Sequence, residues 1–215
     1  MPDLSKIYLF RMTHIENIPH TLKFGITHKT SINSNPNYIP IGDSSIINTR
    51  DSFLLNNGNH IGKYIPFYFW GKMPMLYVIQ NGFNFVEAVK AEDIVYVITS
   101  VQEIIDANLD FVFTDGHAID SFSRQFSKED IENVSNILDI NAIQTKYWKD
   151  EHDLDLKRRK EAEFLVLGDI KVTCVLGYFV FNQKAFDKLH NFGVEESQIY
   201  LKPDFYFYHD ILSDR

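Results

Sequence analysis

The chain has 215 residues, with 21 Lys and Arg against 29 Asp and Glu, a formal charge of −8; 45% of residues are hydrophobic and 23% charged. That balance belongs to a folded globular chain and excludes a disordered or low-complexity one. The lone cysteine, Cys174, excludes an internal disulfide framework and a cysteine zinc cluster, and no apolar run reaches the ~18 residues of a membrane helix.

Phe and Tyr are abundant, 18 and 11 respectively, and both suit half-buried strands, so a sheet-rich core is expected. Residues 6–11 read as the first strand. Thr13 and Glu16 then have the spacing of a capping box, with Ile15, Ile18 and Leu22 on one helical face, Pro19 early and Gly25 as the stop. His14 stands at this turn, where it reads as a backbone-bonded turn residue or as a site residue. Residues 28–43 are polar and turn-rich without a period, and the polarity continues through 46–59 around Arg50. Such a loop inside a compact chain is functional or mobile.

Residues 64–70 form an aromatic run in which Pro66 argues against a regular central strand. Residues 75–80 suit a strand or a helical turn. Residues 94–99 read as a buried strand, 101–107 as helical turns, 111–114 as another strand, and 127–138 as a helix capped by Ser127 and Asp130. Residues 162–167 and 170–181, separated by Gly168-Asp169, read as a β-hairpin. A short helix over 182–190 and a last strand over 198–208 complete one α+β unit, its strands concentrated toward the second half.

No phosphate-cradling glycine motif, nucleophile elbow or metal-ligand spacing is present, so no metal is expected. Arg11 and Arg50 read as surface arginines. Lys157-Arg158-Arg159-Lys160 reads as a solvated charge run. Glu163 is the odd residue: strand alternation puts it on one face with Leu165 and Leu167, an apolar setting for a carboxylate. It reads as an edge residue in water or as a carboxylate on a cleft wall.

Three segments, in order, resemble the DarT toxins. They are Leu9-Phe10-Arg11-Met12-Thr13-His14-Ile15-Glu16-Asn17-Ile18-Pro19, the pair Ile65-Pro66-Phe67-Tyr68-Phe69 and Met73-Pro74-Met75-Leu76-Tyr77, and Arg159-Lys160-Glu161-Ala162-Glu163-Phe164-Leu165-Val166. The resemblance implies an ADP-ribosyltransferase-like α+β fold. It implies transfer of ADP-ribose from NAD to a base, guanine or thymine, in single-stranded DNA, and a DarG-type antitoxin that removes the mark. Glu163 and Arg50 would be catalytic. His14, Thr13, Asn17, Arg50, Tyr68 and Met75 would hold NAD, and His117 would belong to the DNA side. The chemistry suits these residue types: a carboxylate stabilises positive charge on the ribose and takes a proton, and an arginine offsets pyrophosphate.

Lys146, Tyr147, Trp148, Arg158 and Arg159 are the expected DNA contacts, as cations and stacking rings. A monomer in a reducing cytoplasm, without a membrane partner, is expected. Transfer to RNA or protein, NAD hydrolysis, and a silent nucleotide-binding domain are the alternatives.

Overall fold

The β-branched and aromatic runs become the strands of a single sheet, and the polar stretches between them become short helices and loops. The computed structural model describes residues 2–207. In chain order the elements are β1 (Tyr8–His14), α1 (Ile18–Phe24), α2 (Ser44–Ser52), β2 (Tyr64–Tyr68), α3 (Pro74–Asn81), β3 (Ile94–Ser100), α4 (Val101–Asp106), β4 (Phe111–Thr114), β5 (Gln125–Phe126), α5 (Val134–Ile137), α6 (Ile140–Gln144), α7 (Leu156–Lys160), β6 (Glu163–Leu167), β7 (Gly177–Val180), α8 (Gln183–Asn191) and β8 (Ile199–Leu201). The eight strands form one sheet in the order β5-β4-β6-β2-β1-β3-β7-β8. Neighbours are antiparallel except β7 and β8. The architecture is α+β, as expected.

All seven residues of β3 are buried, because both faces of the sheet are covered. Leu9, Val95, Val97, Phe164 and Val166 pack on one face. Phe10, Tyr96, Ile98 and Leu76 pack on the other. Leu165 anchors a third cluster with Leu55 and Ile61, which seats the segment after α2 against β6. The alternation expected around Glu163 therefore holds.

The sheet is nearly split at its centre. β1 and β3 are in register at seven positions, whereas β1 and β2 share only Phe10 opposite Tyr68. Pro66 explains the split. It does sit in a central strand, against the expectation from its chemistry, and pairs normally with Leu165 of β6. In a strand, a residue's N–H and C=O point to the same side, and the side toward β1 is where Pro66 has no N–H to give. Arg11 Nη1 donates to the Pro66 carbonyl at 3.1 Å in place of a strand N–H. A single pair, Ile26 with Ile170, carries backbone across the far end of the gap. Gly25 makes that crossing possible: its φ is +81°, and a Cβ there would lie 2.1 Å from the Ile170 carbonyl oxygen.

Other expectations are corrected. The apolar runs 162–167 and 170–181 are not a hairpin: β6 pairs with β2 and β4, and β7 pairs with β3 and β8. Gly168 turns the chain at φ +92°, but Ile170 then crosses to Ile26 and the chain continues on the other half of the sheet. Thr13 lies in β1, and the cap of the following 3-10 turn is His14, whose Nδ1 accepts the Glu16 N–H at 3.2 Å. Residues 75–80 belong to the helix α3. The Ser127–Asp130 capping box is present, though it opens a 3-10 segment, Lys128–Asn133, before α5. The final strand is only Ile199–Leu201; Tyr208, its expected end, lies outside the described residues. The strands are not concentrated in the second half, since β1, β2 and β3 all begin before residue 95.

Candidate functional site

The gap between β1 and β2 is a cavity of about 340 Å³. β1 contributes Arg11 and Thr13 to its wall, the turn and α1 contribute Asn17 and His20, and α2 contributes Arg50. Asn17 is held by its own bonds: Nδ2 donates to Thr13 Oγ1 at 3.0 Å and to the Ile39 carbonyl at 2.8 Å, and Oδ1 accepts the Ile39 N–H at 2.9 Å. It thereby pins the polar loop over the cavity, and Tyr38 of that loop lines the wall. His28 donates its backbone N–H to Asp169 at 2.8 Å, tying the loop's other end to the crossing at Ile170.

A second hollow of about 180 Å³ shares Arg11, Tyr38, Arg50 and Pro66 with the first and adds Tyr68, Met75, His117 and Glu163. Glu163 is its chemical centre, with a side chain only 1% exposed. Its Oε1 accepts the Ala118 backbone N–H at 2.9 Å and Arg50 Nη1 at 3.2 Å. Nη1 is nearer to Oε2, at 2.9 Å, but that contact is not aligned as a hydrogen bond. Arg50 Nη2 and Glu163 Oε2 are thus a buried donor and a buried acceptor without a hydrogen-bond partner. Tyr68 stands directly opposite Glu163 in the ladder. Burial, then the Glu163 charge, push its phenol well above the usual value, so it stays a protonated donor. Burial, helped by Arg50 and Lys157 and opposed by Glu163, pulls the His117 imidazole down, so His117 is neutral at neutral pH.

A third, larger groove of about 660 Å³ continues outward past Met75 and His117 to Asp120, Phe122, Leu154, Lys157, Arg158 and Glu161. Phe122 is 80% exposed on its rim. The loop after β4, which carries His117 and Phe122, is fixed by Arg158. Arg158 Nη1 donates to Asp115 at 3.0 Å, its carbonyl accepts the His117 N–H at 3.0 Å, and its Nε and Nη2 bind Asp155.

The structure therefore brings Glu163, Arg50, Tyr68, Met75 and His117 together, and places Thr13 and Asn17 in the adjoining cavity with Arg50. It does not bring the rest. His14 caps a turn and lines a separate hollow with 39–43 and 84–90. The Lys-Arg run is not solvated. Arg158 spends its guanidinium on Asp115 and Asp155, and Arg159 on Asp139, Asp153 and Asp155. Lys160 is buried with Nζ on the Ile143 and Thr145 carbonyls, and burial lowers it to about 8. Lys157 alone of the run is an exposed cation on the groove. Trp148 packs edge-on against Tyr77 and Phe207, and Lys146 sits over the exposed Tyr147 ring; none of the three lines the groove. Arg158 and Arg159, expected as DNA contacts, have their guanidinium groups on nearby carboxylates that clasp the loop. Arg11, Tyr38, Phe122 and Glu161 are the wall residues that the sequence reading missed as such.

Comparisons by sequence and by structure agree with this geometry. A DNA ADP-ribosyl transferase of Thermus sp. (strain 2.9) is 32% identical over 188 residues, 86% of this chain and 85% of the relative. A DNA ADP-ribosyl transferase-DNA ADP-ribosyl glycohydrolase fusion protein of Thermosipho africanus (strain H17ap60334) is 31% identical over 159 residues, 74% of this chain and 38% of the fusion. The structure of Thermus sp. 2.9 DarT in complex with ADP-ribosylated ssDNA superposes with a TM-score of 0.82 at 27% identity, over 96% of this chain and 98% of that one. The same protein in complex with NAD+ superposes with a TM-score of 0.76 at 28% identity, over 96% and 99%. Residues 10–207 match the family described as ssDNA thymidine ADP-ribosyltransferase, DarT. By the extent of that match, the chain belongs to the DarT family.

Proposed function

We infer that this chain is an NAD-dependent ADP-ribosyltransferase that modifies a base in single-stranded DNA. The observation that carries the reading is the buried Arg50–Glu163 ion pair, whose Nη2 and Oε2 make no hydrogen bond, at the junction of a cavity and an open groove. Buried polar atoms without a hydrogen bond are rare; the Arg50 donor suits a pyrophosphate or ribose oxygen, and the Glu163 acceptor suits a ribose hydroxyl. Arg11 and Arg50 give the inner cavity the positive charge that a dinucleotide requires, so the residues present fit NAD.

NAD supplies the ADP-ribose: the bond from ribose C1′ to the nicotinamide nitrogen breaks, the bond from C1′ to a base nitrogen forms, and nicotinamide and one proton leave. Glu163 holds negative charge beside the developing positive ribose, in a site where burial strengthens that interaction. Ala118 N–H and Arg50 fix its orientation. Glu163 accepts the proton that the base nitrogen sheds on attack. Tyr68 and neutral His117, which line the same hollow as the carboxylate, orient the two partners. The groove beyond His117 admits an unpaired strand, whose base edge is free, and Phe122 offers a ring for stacking. The mark is removed by a DarG-type glycohydrolase partner, and the toxin acts where bacterial DNA lies, in the cytoplasm. Among the described residues no helix is long and apolar enough to cross a membrane.

Labelled NAD incubated with separate DNA, RNA and protein pools tests the reading. DNA should be labelled, and Glu163→Gln should lower the rate by about 10²–10³ with an unchanged circular dichroism spectrum. Labelling of RNA or protein alone, or undiminished transfer by a folded Gln variant, would refute it.

A further inference from the structure

Thr114 is the last residue of β4, and it is buried beside Glu163. The ladder between β4 and β6 stops at Phe113 opposite Phe164, one pair short of the carboxylate residue. At that point the Glu163 backbone N–H donates to Thr114 Oγ1 at 3.2 Å, and Thr114 Oγ1 donates to the Gly116 carbonyl at 2.6 Å. A hydroxyl has one proton to give, and the Glu163 carbonyl, at 3.5 Å, is too distant to compete for it. Two residues past Gly116, the Ala118 N–H returns to Glu163 Oε1 at 2.9 Å. The result is a closed ring. It runs from the Glu163 main chain through the hydroxyl to the turn, and from the turn back to the Glu163 carboxylate.

We propose that Thr114 is a positioning residue for the transfer reaction, its hydroxyl fixing the Ala118 N–H and the Glu163 carboxylate relative to one another. The proposal rests on the reading of Glu163 given above. Arg158 holds the same turn from the groove, through the His117 N–H, and Thr114 holds it from the sheet. The turn is closely packed around Gly116, where a Cβ would lie 2.4 Å from Arg158 Nη1 and 2.7 Å from Ser123 Oγ. A valine at 114 would keep the branched shape but offer neither donor nor acceptor. The Glu163 N–H and the Gly116 carbonyl would then be buried without partners, and the turn would shift to find others. The Ala118 N–H moves with the turn, so the carboxylate loses its fixed direction toward the ribose. Serine keeps both hydrogen bonds and loses only a methyl group.

The test makes Thr114→Val, Thr114→Ala and Thr114→Ser, each alone and in the Glu163→Gln background, and follows labelled NAD into single-stranded DNA. Thr114→Val should lower kcat about tenfold to hundredfold, the effect of a small misplacement of a reacting group. The KM for DNA and the affinity for a non-reactive NAD analogue should stay near wild type. Thr114→Ala should behave in the same way, and Thr114→Ser should restore most of the rate. In the Glu163→Gln background Thr114→Val should have little further effect, because the carboxylate through which the hydroxyl acts is gone; general damage to the fold would lower both backgrounds alike. Wild-type kcat in folded Val and Ala variants, an equal fall in both backgrounds, or no restoration by Ser overturns the proposal. Loss of the folded circular dichroism spectrum in both the Val and Ala variants overturns it as well, since the hydroxyl would then serve the fold and not the carboxylate. A wild type that labels no DNA would instead refute the reading of the site itself, and this proposal with it.

Discussion

Replacing Glu161 by Gln should stabilise the chain, and should do so only above acidic pH. The carboxyl is raised from an ordinary 4.5 to about 7, first by burial. A folded state with the higher value binds the proton more tightly than the unfolded state does, so between pH 4.5 and 7 stability falls as pH rises. Below 4.5 both states carry the proton and the penalty is absent; above 7 both are ionised and it is complete. At 1.36 kcal/mol for each pKa unit, the penalty is about 3 kcal/mol. Gln keeps the shape and never ionises. The variant should therefore melt with wild type at pH 4 and roughly 6–12 °C above it at pH 8, at about 2–4 °C per kcal/mol for a chain of this size. Differential scanning calorimetry of both proteins across pH 4–8 measures this directly. Equal melting differences at pH 4 and pH 8 would show that Glu161 is not a desolvated acid.

Arg158→Ala removes one of two cations from Asp115, whose side chain is only 9% exposed, and should cost about 2 kcal/mol, less than a fully orphaned buried charge because Arg124 remains. Hydrogen exchange should quicken at 116–124, including the Ala118 amide that holds Glu163; protection unchanged there would argue against the clasp. Phe122→Ala should weaken single-stranded DNA binding by about 1–3 kcal/mol, and Lys157→Ala should lower the salt slope by about one. Arg159→Ala should leave both affinity and salt slope near wild type, since its guanidinium is held by three carboxylates. Fluorescence titrations at several salt concentrations distinguish these outcomes.

Glu163 was legible because a carboxylate amid leucines on a strand violates simple alternation, and the structure places it on the face that alternation gave. The short strands 94–99 and 111–114 were legible for the same local reason. What failed was nonlocal. Gly168-Asp169 turns the chain as expected, but which strand receives β6 depends on partners about fifty and about a hundred residues away, and a local hairpin rule cannot see them. The Lys157–Lys160 run misled because charge alone does not reveal whether acceptors wait nearby. Asp115, Asp139 and Asp153 are distant or scattered in sequence and close in space. Glu161, standing directly after that run, drew no separate reading. Pro66 was judged by a rule about regular sheets, and it sits where this sheet stops being regular.

That irregularity determines what an incoming dinucleotide must do work against. A slot cut between fully laddered strands would have to be opened by its ligand, at about 1 kcal/mol for each backbone hydrogen bond broken. Here the amide that would have sealed the slot was never made, because the imino acid has no hydrogen to offer, and one arginine fork occupies the carbonyl left facing it. The entrance is thus a property of the covalent chain, present as soon as β1 and β2 meet at Phe10 and Tyr68. In the proposed function, contact energy gained inside is left for holding the ribose against Glu163, and none is consumed in prying the two halves of the sheet apart.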